Sequence, residues 1–126
     1  MKILIVEDNE QLGALLARRL EKRGHQAIVA KEVDEAQASA KAFHPELVIM
    51  EAQLRGGDDW AAARRLKFDD QTHDIPILGL VANPSEAARA LAMQNGCAAL
   101  HGKPIDFPNL LRLIKTTAAP GDGDVA

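Results

Sequence analysis

Three apolar runs dominate the chain: Ile3-Leu4-Ile5-Val6, Leu47-Val48-Ile49-Met50 and Ile77-Leu78-Gly79-Leu80-Val81. Each is too short for a stable helix and lacks the alternation of a strand with one wet face. Such runs suit strands covered on both sides, as in a parallel sheet. Between them the apolar residues recur at helical spacing. Leu12, Leu15, Leu16 and Leu20 form one such face. Asn9 precedes it as a cap, Glu10 stands in the first turn, Arg18, Arg19, Lys22 and Arg23 crowd the end, and Gly24 stops it. Strand and helix therefore alternate, the signature of βα units.

The remaining segments follow the same rhythm. His25 to Ala30 reads as a second strand, and residues 33–43 as an alanine-rich helix with Ala36 and Ala40 on one face. Pro45 separates that helix from the third strand. Trp60 to Phe68 is the next helix, with Asp58 able to cap it and Trp60 expected to pack. The fourth strand spans Ile75 to Val81, with Pro76 tolerable near its beginning. Asn83 and Pro84 read as cap and first helical residue of a helix ending near Asn95, before Gly96. Cys97 to His101 is a weaker fifth strand, and Asp106 caps a last helix marked by Leu110, Leu111 and Ile114.

The expected architecture is one α/β domain over residues 1–117, with a flexible tail over 118–126. Right-handed crossovers make the sheet doubly wound, and ligands of such folds sit at the carboxyl ends of the strands. Glu7, Asp8, Glu51, Val81, Ala82 and Lys103 all fall there.

Composition narrows the function. Net charge is −3, no block of five like charges occurs and there is no Tyr and one Trp, so neither a basic nucleic-acid face nor a stacking platform is expected. One cysteine, Cys97, rules out an internal disulfide and a multi-thiolate metal site; it reads as a small core residue. The N-terminal apolar run is too short for a signal peptide and no segment reaches membrane-spanning length, so a cytoplasmic location is expected. His25, His44, His73 and His101 have no metal-ligand spacing and are expected at the surface or its boundary. No serine elbow and no phosphate-cradling glycine loop after the first strand is present, which disfavours a hydrolase or a flavin protein.

The chain resembles the receiver domain of two-component response regulators. Ile3 to Asn9 carries the likeness, as do Pro45 to Glu51 with Leu54 and Gly56, Ile75 to Ala82, Gly96-Cys97-Ala98 and Lys103-Pro104. The resemblance implies a flavodoxin-like (βα)5 fold with strand order 2-1-3-4-5. It implies an acidic pair (Glu7, Asp8) that holds Mg²⁺ together with the acid ending the third strand, and a lysine (Lys103) that contacts a phosphoryl group. Histidine kinases, phosphotransfer proteins or downstream effectors are the implied partners. At three positions the sequence departs from the family pattern. Glu51 replaces the phosphoaccepting Asp, Val81 the hydroxyl residue, and Leu100 the aromatic that changes rotamer; Arg55 also replaces a proline.

Glu51 is longer than Asp by one methylene, about 1.5 Å. Misplacement by about 1 Å can cost on the order of 100-fold in a positioned reaction, and phosphoryl transfer relies on positioning and charge. Glu51 can instead reach Lys103 and imitate part of a phosphoryl charge, or it can be a drifted, solvated acid in an unused pocket. Glu7, Asp8 and Glu51 with the Gln53 carbonyl form a weak Mg²⁺ candidate, since three acids converging without a cation repel. Val81 lacks a donor and reads as packing. Leu100 is either partly exposed between the last two helices or in the core; with Arg89, Arg112 and Lys115 it marks a candidate partner face. The expected function is an atypical receiver acting by protein binding. A phosphorylatable regulator using Glu51 with Mg²⁺, and a scaffold or homodimerising module, are the alternatives. No output domain follows residue 117, so output is expected to pass through another protein unless the chain is a fragment.

Overall fold

A computed structural model describes residues 1–118. Strands and helices alternate in the order β1 (Lys2–Val6), α1 (Glu10–Glu21), β2 (Gln26–Ala30), α2 (Val33–Phe43), β3 (Leu47–Glu51), α3 (Ala61–Phe68), β4 (Ile77–Val81), α4 (Glu86–Gln94), β5 (Ala99–Gly102) and α5 (Phe107–Ala118). All strand pairs are parallel and the sheet order is β2-β1-β3-β4-β5. The doubly wound sheet and the strand order are therefore as expected. The three continuous apolar runs supply the central strands β1, β3 and β4, which is why they lack alternation: both of their faces are covered.

Alternate residues of each strand divide between two cores. Leu4, Val6, Val48, Met50 and Ile77 pack with Ala36 and Ala40 of α2 and Ala62, Ala63 and Leu66 of α3. Ile3, Ile5, Leu47, Ile49, Leu78 and Leu80 pack with Leu16 and Leu20 of α1 and Leu110 and Ile114 of α5. This arrangement aligns the carboxyl ends of all strands at one rim, where the site lies.

Several boundaries move, each for a local reason. Ser85, not Asn83, caps α4: its hydroxyl accepts from the Ala88 N–H at 3.0 Å. Pro84 stays outside the helix, its ring so close to Gly102 that a Cβ there would lie 2.5 Å from Pro84 Cγ. The carboxylate of Asp58 does not cap α3 but pairs with Arg64, and only its backbone carbonyl accepts from Ala61 N–H. Leu15 is 46% exposed because α1 meets the sheet along Gly13, Leu16 and Leu20, with Gly13 against Val29. Asn9 caps α1 (3.0 Å to Leu12 N) and Asp106 caps α5 (3.2 Å to Asn109 N), as expected. Helix α5 takes in Ala118, the first residue of the expected tail; residues 119–126 lie outside the described residues.

Trp60 holds the α3 side of the core together. It is 2% exposed and adopts a left-handed backbone (φ 62°), which for a bulky residue costs about 1 kcal/mol or more. The indole fills a notch left by Gly79 in the middle of β4. A Cβ at residue 79 would lie 2.5 Å from Trp60 Cη2 and 3.1 Å from Cys97 Sγ. Burial of a large aromatic offsets the backbone cost. Gly79→Ala is expected to destabilise the domain by roughly 1–3 kcal/mol, the range for overpacking, in urea unfolding. In a Trp60→Leu background, where the notch is already emptied, the same change is expected to cost much less.

Candidate functional site

The rim of the sheet brings together side chains from three segments far apart in sequence. Glu7 directly follows β1, and its N–H donates to the Ala30 carbonyl at 2.9 Å, extending the β1–β2 pairing by one residue. Its side chain is therefore drawn inward and is 1% exposed. One carboxylate oxygen, Oε2, accepts from the Asn9 N–H (3.1 Å); the other, Oε1, faces the Lys103 ammonium at 3.2 Å. Glu51 is the last residue of β3, in register with Leu80, and is 8% exposed. Its Oε2 forms an ion pair with the same ammonium. That contact lacks the alignment of a hydrogen bond, and Oε2 is otherwise buried without a partner. Lys103 follows β5, where its N–H donates to the Val81 carbonyl at 2.8 Å and the Lys103–Pro104 peptide is cis. One ammonium thus bridges two buried carboxylates.

The electrostatics follow from that count. Burial is the largest influence on Glu51 and raises its carboxyl pKa; the nearby Glu7 charge adds to this, while Lys103 and the Gln53 amide work against it. Burial alone would lower the Lys103 pKa, but Glu51 and then Glu7 outweigh it, so the ammonium is held above the usual lysine range. The cluster carries two negative charges against one positive, and the positive one is locked on.

Three of the sequence candidates therefore meet: Glu7, Glu51 and Lys103. Others do not join them. Asp8 is half-buried and takes part in none of the ion pairs found among the described residues. Gln53 and Ala82 are exposed but line, with Glu51, a cavity beside the cluster. Val81 is 8% exposed and lines, with Glu51, Trp60, Ala88 and Leu91, the same cavity, of about 210 Å³. Arg89 on α4 and Arg112 and Lys115 on α5 are exposed, whereas Leu100 is 6% exposed and packs in the α3-side core. Leu100 is thus a core residue, not part of a surface face: it pairs with Gly79 in the β4–β5 register and belongs to the same buried cluster as Trp60 and Cys97. His101 is likewise buried, at 5% exposure, not at the surface.

The donor set does not fit Mg²⁺ in this arrangement. No group of three or more Asp, Glu, His and Cys side chains placed to hold a metal occurs among the described residues. Glu7 spends both oxygens on Asn9 and Lys103, and Glu51 Oε2 faces the ammonium, so the cation's place between the two acids is taken by Lys103.

The sequence pairs Lys103 with Glu51 but assigns Glu7 to a metal; the second half of the bridge is missed. The only available signal is positional, since Glu7 and Glu51 both end adjacent strands. The loop after β3 is fixed by Trp60 N–H to Ala52 O (2.9 Å) and by Val33 N–H to Arg55 O (3.1 Å), where Glu32 and Arg55 form a parallel bridge. The Arg55 backbone carbonyl thus pins this loop to the one before α2.

Comparisons with known proteins agree with the fold. The model of the family described as response regulator receiver domain matches residues 3–115. The polar-differentiation response regulator DivK of Brucella ovis is 31% identical over 114 residues, covering 90% of this chain and 93% of that protein. Among solved structures, the BeF3-activated receiver domain of RstA from Klebsiella pneumoniae has a TM-score of 0.84 at 26% identity, covering 94% of this chain and 98% of that one. The non-phosphorylated HemR receiver domain from Leptospira biflexa has a TM-score of 0.82 at 27% identity, covering 94% of each. The chain belongs to the response regulator receiver domain family.

Proposed function

We propose that this receiver of a two-component system signals by binding another protein while its phosphorylation pocket is held shut by its own side chains. The observation that carries this reading is the Lys103 ammonium between Glu7 and Glu51. The family resemblance implies that in a phosphorylatable receiver this lysine contacts a phosphoryl group and the acids hold Mg²⁺. Here the longer Glu51 reaches the lysine itself. Val81, at the position of the hydroxyl that would bind the phosphoryl oxygen, offers only methyl groups to the adjoining cavity. Glu51 brings one negative charge where a phosphoryl group brings nearly two, so it imitates that group in part.

The partner is a histidine kinase, a phosphotransfer protein or an effector. Residues 1–117 act as the signalling unit, and Arg89, Arg112 and Lys115, together with the exposed Leu91 and Met93, form the contact face. Leu100 supports that face from beneath.

Three outcomes are expected. Amide NMR spectra recorded with Mg²⁺, and then with beryllium fluoride added, should show no specific shifts at residues 51, 81 and 103. Large saturable shifts there would restore a phosphorylation switch at Glu51 and sink the proposal. Removing the ammonium in Lys103→Met leaves two buried carboxylates facing each other, and breaking such a pair typically costs about 3–5 kcal/mol. Urea unfolding at neutral pH is expected to show a loss of that order, which shrinks as the pH is lowered and Glu51 takes up its proton.

The third outcome is a pH dependence. Because Glu51 titrates above 4.5 in the folded protein, the folded state holds its proton more tightly than the unfolded state. The stability linked to that proton is complete below pH 4.5 and is lost as pH rises through the higher folded value. Glu51→Gln cannot lose a proton, so wild type should lose stability relative to the variant between pH 4.5 and neutrality. Parallel urea titrations across that window read the difference, and a constant gap would contradict it.

A further inference from the structure

The ring of His101 is hydrogen-bonded through Nε2 in a part of the molecule that the phosphorylation pocket does not explain. It sits in β5, opposite Leu80 of β4, and is buried at 5% exposure on the side of the sheet covered by α1 and α5. Its Nε2 accepts the backbone N–H of Asp106 at 3.1 Å. Its Nδ1 lies 3.3 Å from the side-chain amide of Asn109. These contacts span the loop Gly102-Lys103-Pro104-Ile105 and tie the strand end to the first turn of α5. The loop between them carries the ammonium that bridges Glu7 and Glu51.

Only a neutral ring can make this closure. An imidazole that accepts at Nε2 carries its proton on Nδ1, which lies beside the Asn109 side-chain nitrogen and has no hydrogen bond to the Asn109 oxygen, since that oxygen accepts from Arg112. A second proton would have to go on Nε2. There it would confront the Asp106 N–H, and two donors would face each other at a part-buried contact. We propose that His101 is a pH-sensitive latch whose protonation releases the first turn of α5 and the loop that carries Lys103. The latch does not depend on whether Glu51 accepts a phosphoryl group.

The surrounding charges set when it opens. From α5 and its cap, the Asp106 carboxylate favours the charged ring, and the Arg112 guanidinium, hydrogen-bonded to Asn109, lies behind the amide. Lys103 is two residues away along the chain, and Glu51 lies on the far side of Leu80 in the strand register. Burial is the largest influence and holds the ring below the usual histidine range, with Asp106 opposing it. The latch is therefore closed at neutral pH and opens on acidification below about 6.5, the ordinary value. The linkage has the corresponding sign. The unfolded chain binds the proton first, so stability linked to His101 is complete above pH 6.5 and falls as pH drops toward the folded value.

The test is an NMR titration of the full chain from pH 7.5 to pH 4.5, following the His101 ring and the amides of residues 103 and 106. The expected result is a ring midpoint below the ordinary value, with both amides shifting on the same curve. The hydrogen-exchange protection factor of the Asp106 amide, which is corrected for intrinsic pH effects, should drop at least tenfold across that midpoint. His101→Gln keeps an acceptor that does not titrate and should abolish this phase, leaving only the separate response of Glu51, which Glu51→Gln removes in turn. Amides 103 and 106 that ignore the His101 midpoint would overturn the latch, as would the same phase persisting in His101→Gln. If that variant does not fold, protection at Asp106 in the wild-type chain decides the matter alone.

Discussion

One ammonium neutralises two acids at the rim of this sheet, and the site depends on it. Burying a carboxylate costs several kcal/mol unless an opposite charge and hydrogen bonds accompany it. Glu7 and Glu51 are both buried, and Lys103 is the cation they share. The three residues come from the ends of β1, β3 and β5, so the lysine must reach past β4. The backbone makes this possible: the Lys103 N–H bonds to the Val81 carbonyl and fixes where the side chain starts. Charge pairing, strand order and loop geometry are therefore one constraint seen at three levels.

Most of the scaffold is legible in the sequence because buried parallel strands leave an unambiguous mark. Ile3–Val6, Leu47–Met50 and Ile77–Val81 cannot be read as amphipathic helices, and turn residues bound each of them. The places where reading fails share a cause. Ser85 replaces Asn83 as a cap because Pro84 is claimed by Gly102 across the loop, a contact over nearly twenty residues that no local rule contains. Trp60 is recognisable as packing, but its left-handed backbone and its notch at Gly79 are tertiary facts. Leu100 and His101 sit in a strand whose composition is weak, where a shift of one residue exchanges the two faces. Their burial follows from the β4–β5 register, which pairs Gly79 with Leu100 and Leu80 with His101.

The site itself was legible in outline. Strand ends in a doubly wound sheet gather Glu7, Glu51 and Lys103 before any family is considered, and the reach of Glu51 toward Lys103 follows from one added methylene. The double bridge does not, since it requires Glu7 to turn inward. That turn is made by the Glu7 N–H extending the ladder to Ala30 and by Asn9 holding the second oxygen. Asn9 thus acts twice: its side chain caps α1 and its backbone N–H steers the acid that meets the lysine.

The proposed closure of the pocket by Glu51 and Lys103 would change what can control such a protein. A ligand shifts a two-state equilibrium only by its difference in affinity for the two states. A phosphoryl group shifts receivers because its charge is available in one state and absent in the other. In the proposed reading, with Glu51 already at Lys103, that difference is built into the chain, and the balance between conformations becomes a property of the sequence. What remains to move it are agents that compete for the lysine, neutralise its acids or free the loop that presents it. A partner protein can do the first, protons the second, and the His101 contact to α5 governs the third. On this reading, control passes from a covalent mark to the concentration of a partner and the acidity around it.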